Sequence, residues 1–222
     1  MTPELRKEAS ELQLHKRGIR INVQLHVIEA DEEVQLRTPA ELLQRLHALV
    51  YVIGVMENSS NTNANASANT NNTPVHLLGA FSEQETLYLQ GHAQGHLQEQ
   101  SHQLADLDEQ QWTAYFLAWC AGLHDKLKLT LRQADISHFS ALFEAANAEQ
   151  LQQRFKMKRK TEVMNWCDLM YRLHWALRHH QLTGRDSPAN IPVGMVRGWH
   201  KAVNWMCCFE EENNWDCVST ET

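Results

Sequence analysis

The stretch "TEVMNWCDLMYRLHWALRHHQLTG", residues 161–184, decides the fold. At about 100° per residue, Val163, Trp166, Leu169, Met170, Leu173 and Leu177 fall on one broad apolar stripe, with His174 at its margin. Asp168 and Arg172 fall on the opposite side, four residues apart, as an ordinary helix ion pair worth about 0.3–0.5 kcal/mol. Arg178, His179 and His180 sit near the carboxyl end, where cations complement the helix dipole, and Gly184 marks the stop. The run reads as one long helix.

Working outward, the downstream segment "IPVGMVRGWHKAVNWMCCF" (191–209) reads the same way. Met195, Val196, Trp199, Ala202, Val203, Met206 and Phe209 form a core stripe with Trp205 at its edge, and Arg197, His200, Lys201 and Asn204 fall opposite. Upstream, Thr2-Pro3 opens a helix that Gly18 stops. "TPAE" (38–41) is a capping box with Thr38 as N-cap and Glu41 three residues on, leading a helix with Leu42, Leu46, Leu49, Ile53 and Met56 in step. "SEQE" (82–85) is a second such box, and "DEQQWTAYFLAWCAG" (108–122) runs from Asp108 to Gly122. Residues 135–160 read as one or two helices. Only "RINVQLHVIEADEEVQLR" (20–37) alternates β-branched residues, as an extended arm or short strand would. Strands and helices do not alternate, so no α/β sheet is expected, and no repeat at a fixed period appears.

The expected architecture is therefore all-α: a single compact multi-helix domain over residues 1–222, with a short extended segment near the N-terminus. The Asn/Thr/Ser-rich tract at 58–73 holds nothing that can build a core and reads as a disordered surface loop inserted within that domain. A chain of 222 residues buries roughly 70–75% of its unfolded surface and needs no metal or disulfide to fold. Its five cysteines include no C-x-x-C pair, which argues against a zinc site and against a secreted disulfide framework. The net charge of −7, from 20 basic and 27 acidic residues, works against nucleic acid and anionic membrane as partners. With no apolar signal core and no apolar run near the ~18 residues of a membrane span, a reduced, cytoplasmic protein is expected.

Six segments carry a family resemblance: "RKEASELQLHKRGIRIN" (6–22), "EVQLRTPAELLQRLHAL" (33–49), "AYFLAWCAGL" (114–123), "LMYRLHWALRHHQLTG" (169–184), "VRGWHKAVNWM" (196–206) and "NNWDCVSTET" (213–222). In order, and with Arg197-x-x-His200, Asn204-Trp205 and Trp215-Asp216 as its most specific features, the chain resembles the mainly bacterial family known as domain of unknown function 4272. The resemblance spans nearly the whole chain, and the tract at 58–73 looks like an insertion relative to it. It implies a single, mostly helical cytoplasmic domain and brings no activity, cofactor or site residue with it.

The residues themselves offer one constellation. Arg197, His200 and Asn204, at i, i+3 and i+7, make a polar line that is either a solvated helix face or one wall of a cleft. In a cleft, arginine and asparagine would hold an anion or amide beside a titratable histidine. His174 reads as a core or boundary residue. Trp215 reads as an anchor for the tail, with Asp216 pairing an arginine or capping backbone amides. A tail folded over the last helix would instead bring Asp216 to Arg197 and His200 as an Asp–His–Arg cluster.

Weaker signals stay weak. His92, His96 and His102 lie near helical spacing, but glycines and the lack of an H-E-x-x-H context argue against metal, so no metal and no cofactor is expected. "KMKRK" (156–160) lacks interleaved aromatics and reads as a solvated helix end, and Cys120, Cys167 and Cys207 lie among apolar neighbours that leave thiols inert. No phosphate loop or nucleophile elbow is present.

Two functions follow. The leading one is a non-catalytic, regulatory or adaptor domain that binds a protein, an acidic chain suiting a basic partner. The alternative is a small-ligand or anion-binding protein, or an enzyme, built on Arg197, His200 and Asn204 with His174, Asp216 and Trp215 nearby. A concave pocket with a perturbed histidine favours the alternative, and a flat face with exposed aromatics favours the first. The oligomeric state stays open.

Overall fold

Short-range hydrogen bonds set the helix ends. The computed structural model describes residues 1–61, 77, 79–94, 104, 106–145, 151 and 155–222. Helix α1 (Pro3–His15) starts at Thr2, whose hydroxyl accepts from Leu5 N, and the chain reverses at Gly18 with φ 69°. Helix α2 (Pro39–Asn61) opens on the reciprocal box: Glu41 N donates to Thr38 Oγ1, and Thr38 N donates to Glu41 Oε2 at 2.8 Å. Helix α3 (Glu83–Ala93) uses Ser82 and Glu85 in the same way. Asp106 caps α4 (Leu107–Cys120), accepting from Glu109 N at 2.8 Å. Helices α5 (Ser137–Ala145), α6 (Lys160–Leu182) and α7 (Val193–Met206) complete the set.

These seven helices are joined by no strand among the described residues, so the domain is all-α. The alternating segment after α1 is irregular chain with turns at 23–25 and 31–33. Its carbonyls serve side chains instead of a ladder: Val23 and Leu25 accept from Lys7, His26 from Arg172, and Val34 from Lys160. Alternation without a neighbouring strand gives the backbone no partner, and the side chains supply one.

Two further expectations are corrected. Positions 58–61, expected in the surface loop, belong to α2, which continues through Asn61; Ser59 Oγ donates to Val55 O at 2.7 Å within it, and the rest of that tract, residues 62–73, lies outside the described residues. Residues 155–159 are not a helix end. The Lys156 and Lys158 amides donate to the carbonyls of Ala121 and Cys120 at 3.0 and 2.9 Å, satisfying the C-terminal carbonyls of α4.

The centre is α4, buried at Gln110, Trp112, Thr113, Ala114 and every residue from Phe116 to Cys120. A helix buried nearly all round must be enclosed by others. Helix α7 packs on it most extensively, α2 covers another side, α6 lies against α7, and α1 lies outside α6. Met195, Val196, Trp199, Ala202, Val203 and Met206 of α7 are all fully buried. Trp199 sits among Trp112, Phe116 and Trp166, with ring centroids 5.3–5.9 Å away. Phe209 leaves that stripe: α7 ends at Met206, and Cys208 turns the chain left-handed at φ 48°.

Asp168 and Arg172 are also not an ordinary surface pair. Both are buried, because α1 and the following segment cover this side of α6, with Glu11 3.6 Å from Arg172 Nη1.

Candidate functional site

A close approach of two helices builds the site. Gly194 and Gly198 of α7 face the first turns of α4: a Cβ on Gly198 would lie 2.7 Å from the Glu109 carbonyl oxygen, and one on Gly194 2.0 Å from Asp108 Oδ2. At Gly198 the contact is with backbone, and only glycine permits it. It sets the Glu109 side chain beside the polar residues of α7. Helix α6 closes the opposite side, and the C-terminal tail lies across the end. Between them is a cleft of about 370 Å³ lined by Glu109, His174, Arg178, Gln181, Arg197 and Lys201, with Val218, Thr220 and Glu221 from the tail.

Behind the cleft runs a chain of hydrogen bonds. Nδ1 of His174 and Nδ1 of His200 lie 2.8 Å apart, with the rings edge-on at an interplanar angle of 85°. Asn204, one turn beyond His200, places its Nδ2 3.3 Å from His200 Nε2 and donates from the same nitrogen to the Ser219 carbonyl at 2.8 Å. Its Oδ1 accepts from Cys167 Sγ at 3.8 Å. His174, His200 and Asn204 are 6%, 2% and 4% exposed, so the pair is sealed from water except where His174 meets the cleft.

The charges around this chain are matched unevenly. Burial drives His200 down to about 3, with His174 adding to the effect. Burial, then the Arg178 and Arg197 cations, drive His174 down to about 4. Both rings are thus neutral near pH 7. Burial raises Glu109, and Asp106 and Asp108 add to it against the opposing pull of Lys201 and Arg197. Burial lowers Lys201, and Arg45 adds to it while Asp216, Glu109 and Glu85 oppose. The Lys201 ammonium also lies 4.9 Å from the centre of the Trp215 ring. Arg178 and Arg197 are exposed and make no hydrogen bond or salt bridge among the described residues.

The six residues singled out from sequence therefore separate. His174 and Arg197 line the cleft; His200 and Asn204 stand behind it, buried, where a solvated face was the other possibility. They are covered because α6 and the tail both lie over that side of α7, and helical periodicity cannot reveal a cover that comes from elsewhere in the chain. Trp215 is buried edge-on to Trp205 at 5.6 Å, with the Arg45 guanidinium 4.3 Å from its centroid. Asp216 does not reach Arg197 or His200; its Oδ2 accepts from Gln84 N at 3.0 Å, at the N-terminus of α3. The tail does fold over α7, but through Ser219.

Sequence reasoning missed Glu109, Gln181 and the tail residues, and read Arg178 only as a dipole partner. The spacing Gly194-x-x-x-Gly198 was the available signal, since it marks where another backbone comes close enough to bring Glu109 in. For metal, no group of three or more His, Cys, Asp or Glu that could hold an ion occurs among the described residues; His96 and His102 lie outside them. Burial pushes the Cys120 thiol up, against nucleophilic use.

Compared with known proteins, residues 6–218 match the family model described as "Domain of unknown function (DUF4272)". No curated protein and no solved structure matches the chain.

Proposed function

The chain belongs to the DUF4272 family, and because that membership brings no activity with it we propose, from the cleft itself, that the protein binds a small oxyanion there. The observation that carries the reading is the pair Arg178 and Arg197, two exposed guanidinium groups on one cleft without a salt bridge or hydrogen bond among the described residues. Arginine forks left unmatched at a concavity suit carboxylate or phosphate, which they bind bidentately. Counting Lys201, three cations face two carboxylates, Glu109 and Glu221, within a chain whose net charge is −7. A locally positive cleft in an acidic chain is the fit for an anionic ligand. A volume of about 370 Å³ lies in the small-ligand range of roughly 300–1,000 Å³. Catalysis by His174 near pH 7 is disfavoured, since its depressed proton affinity makes it a weak base.

Isothermal titration of inorganic phosphate, sulfate and acetate at matched ionic strength tests this reading. At least one should bind saturably, and the double variant Arg178→Ala/Arg197→Ala should weaken it tenfold or more, since one charge-assisted contact is worth about 1.5–3 kcal/mol. Absence of saturable heat with all three anions would sink the reading.

A second reading, the protein-binding role expected first from sequence, rests on α1. Met1, Leu5 and Leu12 are 59%, 55% and 52% exposed, with Leu5 and Leu12 two turns apart on one face. On this reading a basic protein partner docks there, in the cytoplasm; no described helix is long and apolar enough to cross a membrane. Leu5→Ser/Leu12→Ser should abolish capture of that partner, and unchanged capture would reject the role of α1.

A further inference from the structure

We propose that Asn204 and His200 are positioning residues that hold His174 with its proton on Nε2, so that the cleft selects a deprotonated oxyanion. The inference rests on the reading of the cleft as a ligand site, and it names the ligand's protonation state and the residues that choose it.

The Ser219 carbonyl has lone pairs and no proton, so the Asn204 atom 2.8 Å from it must be the amide nitrogen. The reversed amide would oppose two oxygens and would turn its NH2 group toward the Cys167 sulfur, a weak acceptor. With Nδ2 thus fixed, its second N–H faces His200 Nε2 at 3.3 Å. An amide NH2 cannot accept, so His200 Nε2 must be the bare nitrogen. A neutral imidazole has one proton, and His200 therefore carries it on Nδ1. That proton lies between two nitrogens 2.8 Å apart, and His174 Nδ1 has to accept it. His174 is left with its own proton on Nε2, the one ring nitrogen for which no described residue offers a partner. His174 lines the cleft with Arg178 and Arg197.

Each link removes one choice. A second proton on His174 would set N–H against N–H across the 2.8 Å contact, and one on His200 would set Nε2–H against the Asn204 amide at 3.3 Å, which agrees with the low proton affinity of both histidines. The result is a neutral donor beside two cationic donors. A carboxylate or phosphate oxygen satisfies all three. An ammonium or guanidinium ligand finds no acceptor at His174 and two like charges beside it. The polarity of the site is set 15 residues away in sequence from Asn204, at Ser219.

The test is a long-range 1H–15N spectrum of histidine-15N-labelled full chain at pH 7, assigned with His174→Gln and His200→Gln. The expected result, with no ligand present, is His200 protonated at Nδ1 and His174 at Nε2. The opposite pair, or an average of both forms, overturns the proposal before any ligand is added. In Asn204→Ala, His174 should populate both tautomers and the phosphate dissociation constant should rise about three- to tenfold. A folded Asn204→Ala that keeps the single tautomer and the wild-type constant refutes the positioning role. If Asn204→Ala does not fold, His200→Phe, which removes the donor to His174 Nδ1, is read the same way. Expected tautomers with no binding of phosphate, sulfate or acetate would reject the oxyanion selection and the proposed function together, and leave the hydrogen-bond chain standing.

Discussion

Helix α6 carries two arginines in opposite circumstances. Arg172, 2% exposed, donates from Nε and Nη2 to the two oxygens of Asp168 at 2.9 and 2.8 Å, and from Nη2 to the His26 carbonyl at 3.0 Å. Arg6 of α1 is held similarly, by Asp31, Asn165 and the Glu29 carbonyl. Six residues beyond Arg172, Arg178 is exposed and lines the cleft together with Arg197 and the neutral His174. A charge buried against a carboxylate that it grips with two donors is committed to the fold, because removing one partner strands the other in a poorly hydrated place. An unmatched charge on a concavity contributes little to folding and is available to something else. The same residue type on one helix thus has a structural use in its middle and, on the proposed reading, a binding use near its end.

The largest effect should come from breaking the committed region. Asp168→Ala leaves Arg172 with only Glu11 at 3.6 Å and the His26 carbonyl. It should cost about 3–5 kcal/mol in chemical denaturation, the range for stranding a buried ion. A loss below about 1 kcal/mol, the value of a surface pair, would show that Arg172 re-solvates and that the contrast with Arg178 is false.

How much of this was legible in sequence divides along the same line. What depends on neighbours three or four residues away could be read: the boxes at Thr38/Glu41 and Ser82/Glu85, the stop at Gly18, and the α7 stripe from Met195 to Met206. Periodicity also placed Arg197, His200 and Asn204 on one side of α7. It could not tell that two of them are buried, because the cover comes from α6 and from Ser219. For the same reason Asp168–Arg172 looked like a surface pair, α1 being more than 150 residues away in the chain. Asp216 went to α3 instead of to Arg197, since Trp215 is pinned between Arg45 and Lys201 and turns the aspartate toward Gln84 N. The helices were legible from local signals, while the site depends on which helices meet.

A smaller effect separates the regions by pH. The histidine pair has a folded proton affinity well below the unfolded value of 6.5, to about 4 for His174 and about 3 for His200. Below pH 6.5 the unfolded chain therefore binds more protons than the folded one, and stability falls as the pH falls. Between pH 6.5 and 5.5 the two rings together should cost about 2 kcal/mol, a range in which carboxylates with ordinary affinities hardly titrate. His124, also lowered by burial, adds to the slope. Denaturation midpoints across that range should fall in the wild type and fall less steeply in His200→Gln. Equal slopes would mean that the pair is protonated in the folded protein and that the neutral chain behind the cleft does not exist.

The smallest effect on stability is the sharpest test of the comparison. Arg178→Ala/Arg197→Ala removes two exposed charges that hold no salt bridge or hydrogen bond among the described residues, so its unfolding free energy should stay within about 0.5 kcal/mol of the wild type. Its consequence should appear at His174 instead. Both guanidinium groups lower that ring's proton affinity, and without them the His174 titration followed by NMR should move upward, although burial still holds it below 6.5. A stability loss comparable to that of Asp168→Ala would give these arginines a structural partner and end the distinction between the two ends of α6. Unchanged stability with a raised His174 titration would mean that the two cations act on the histidine and contribute little to the fold, as a site with room for an anion requires.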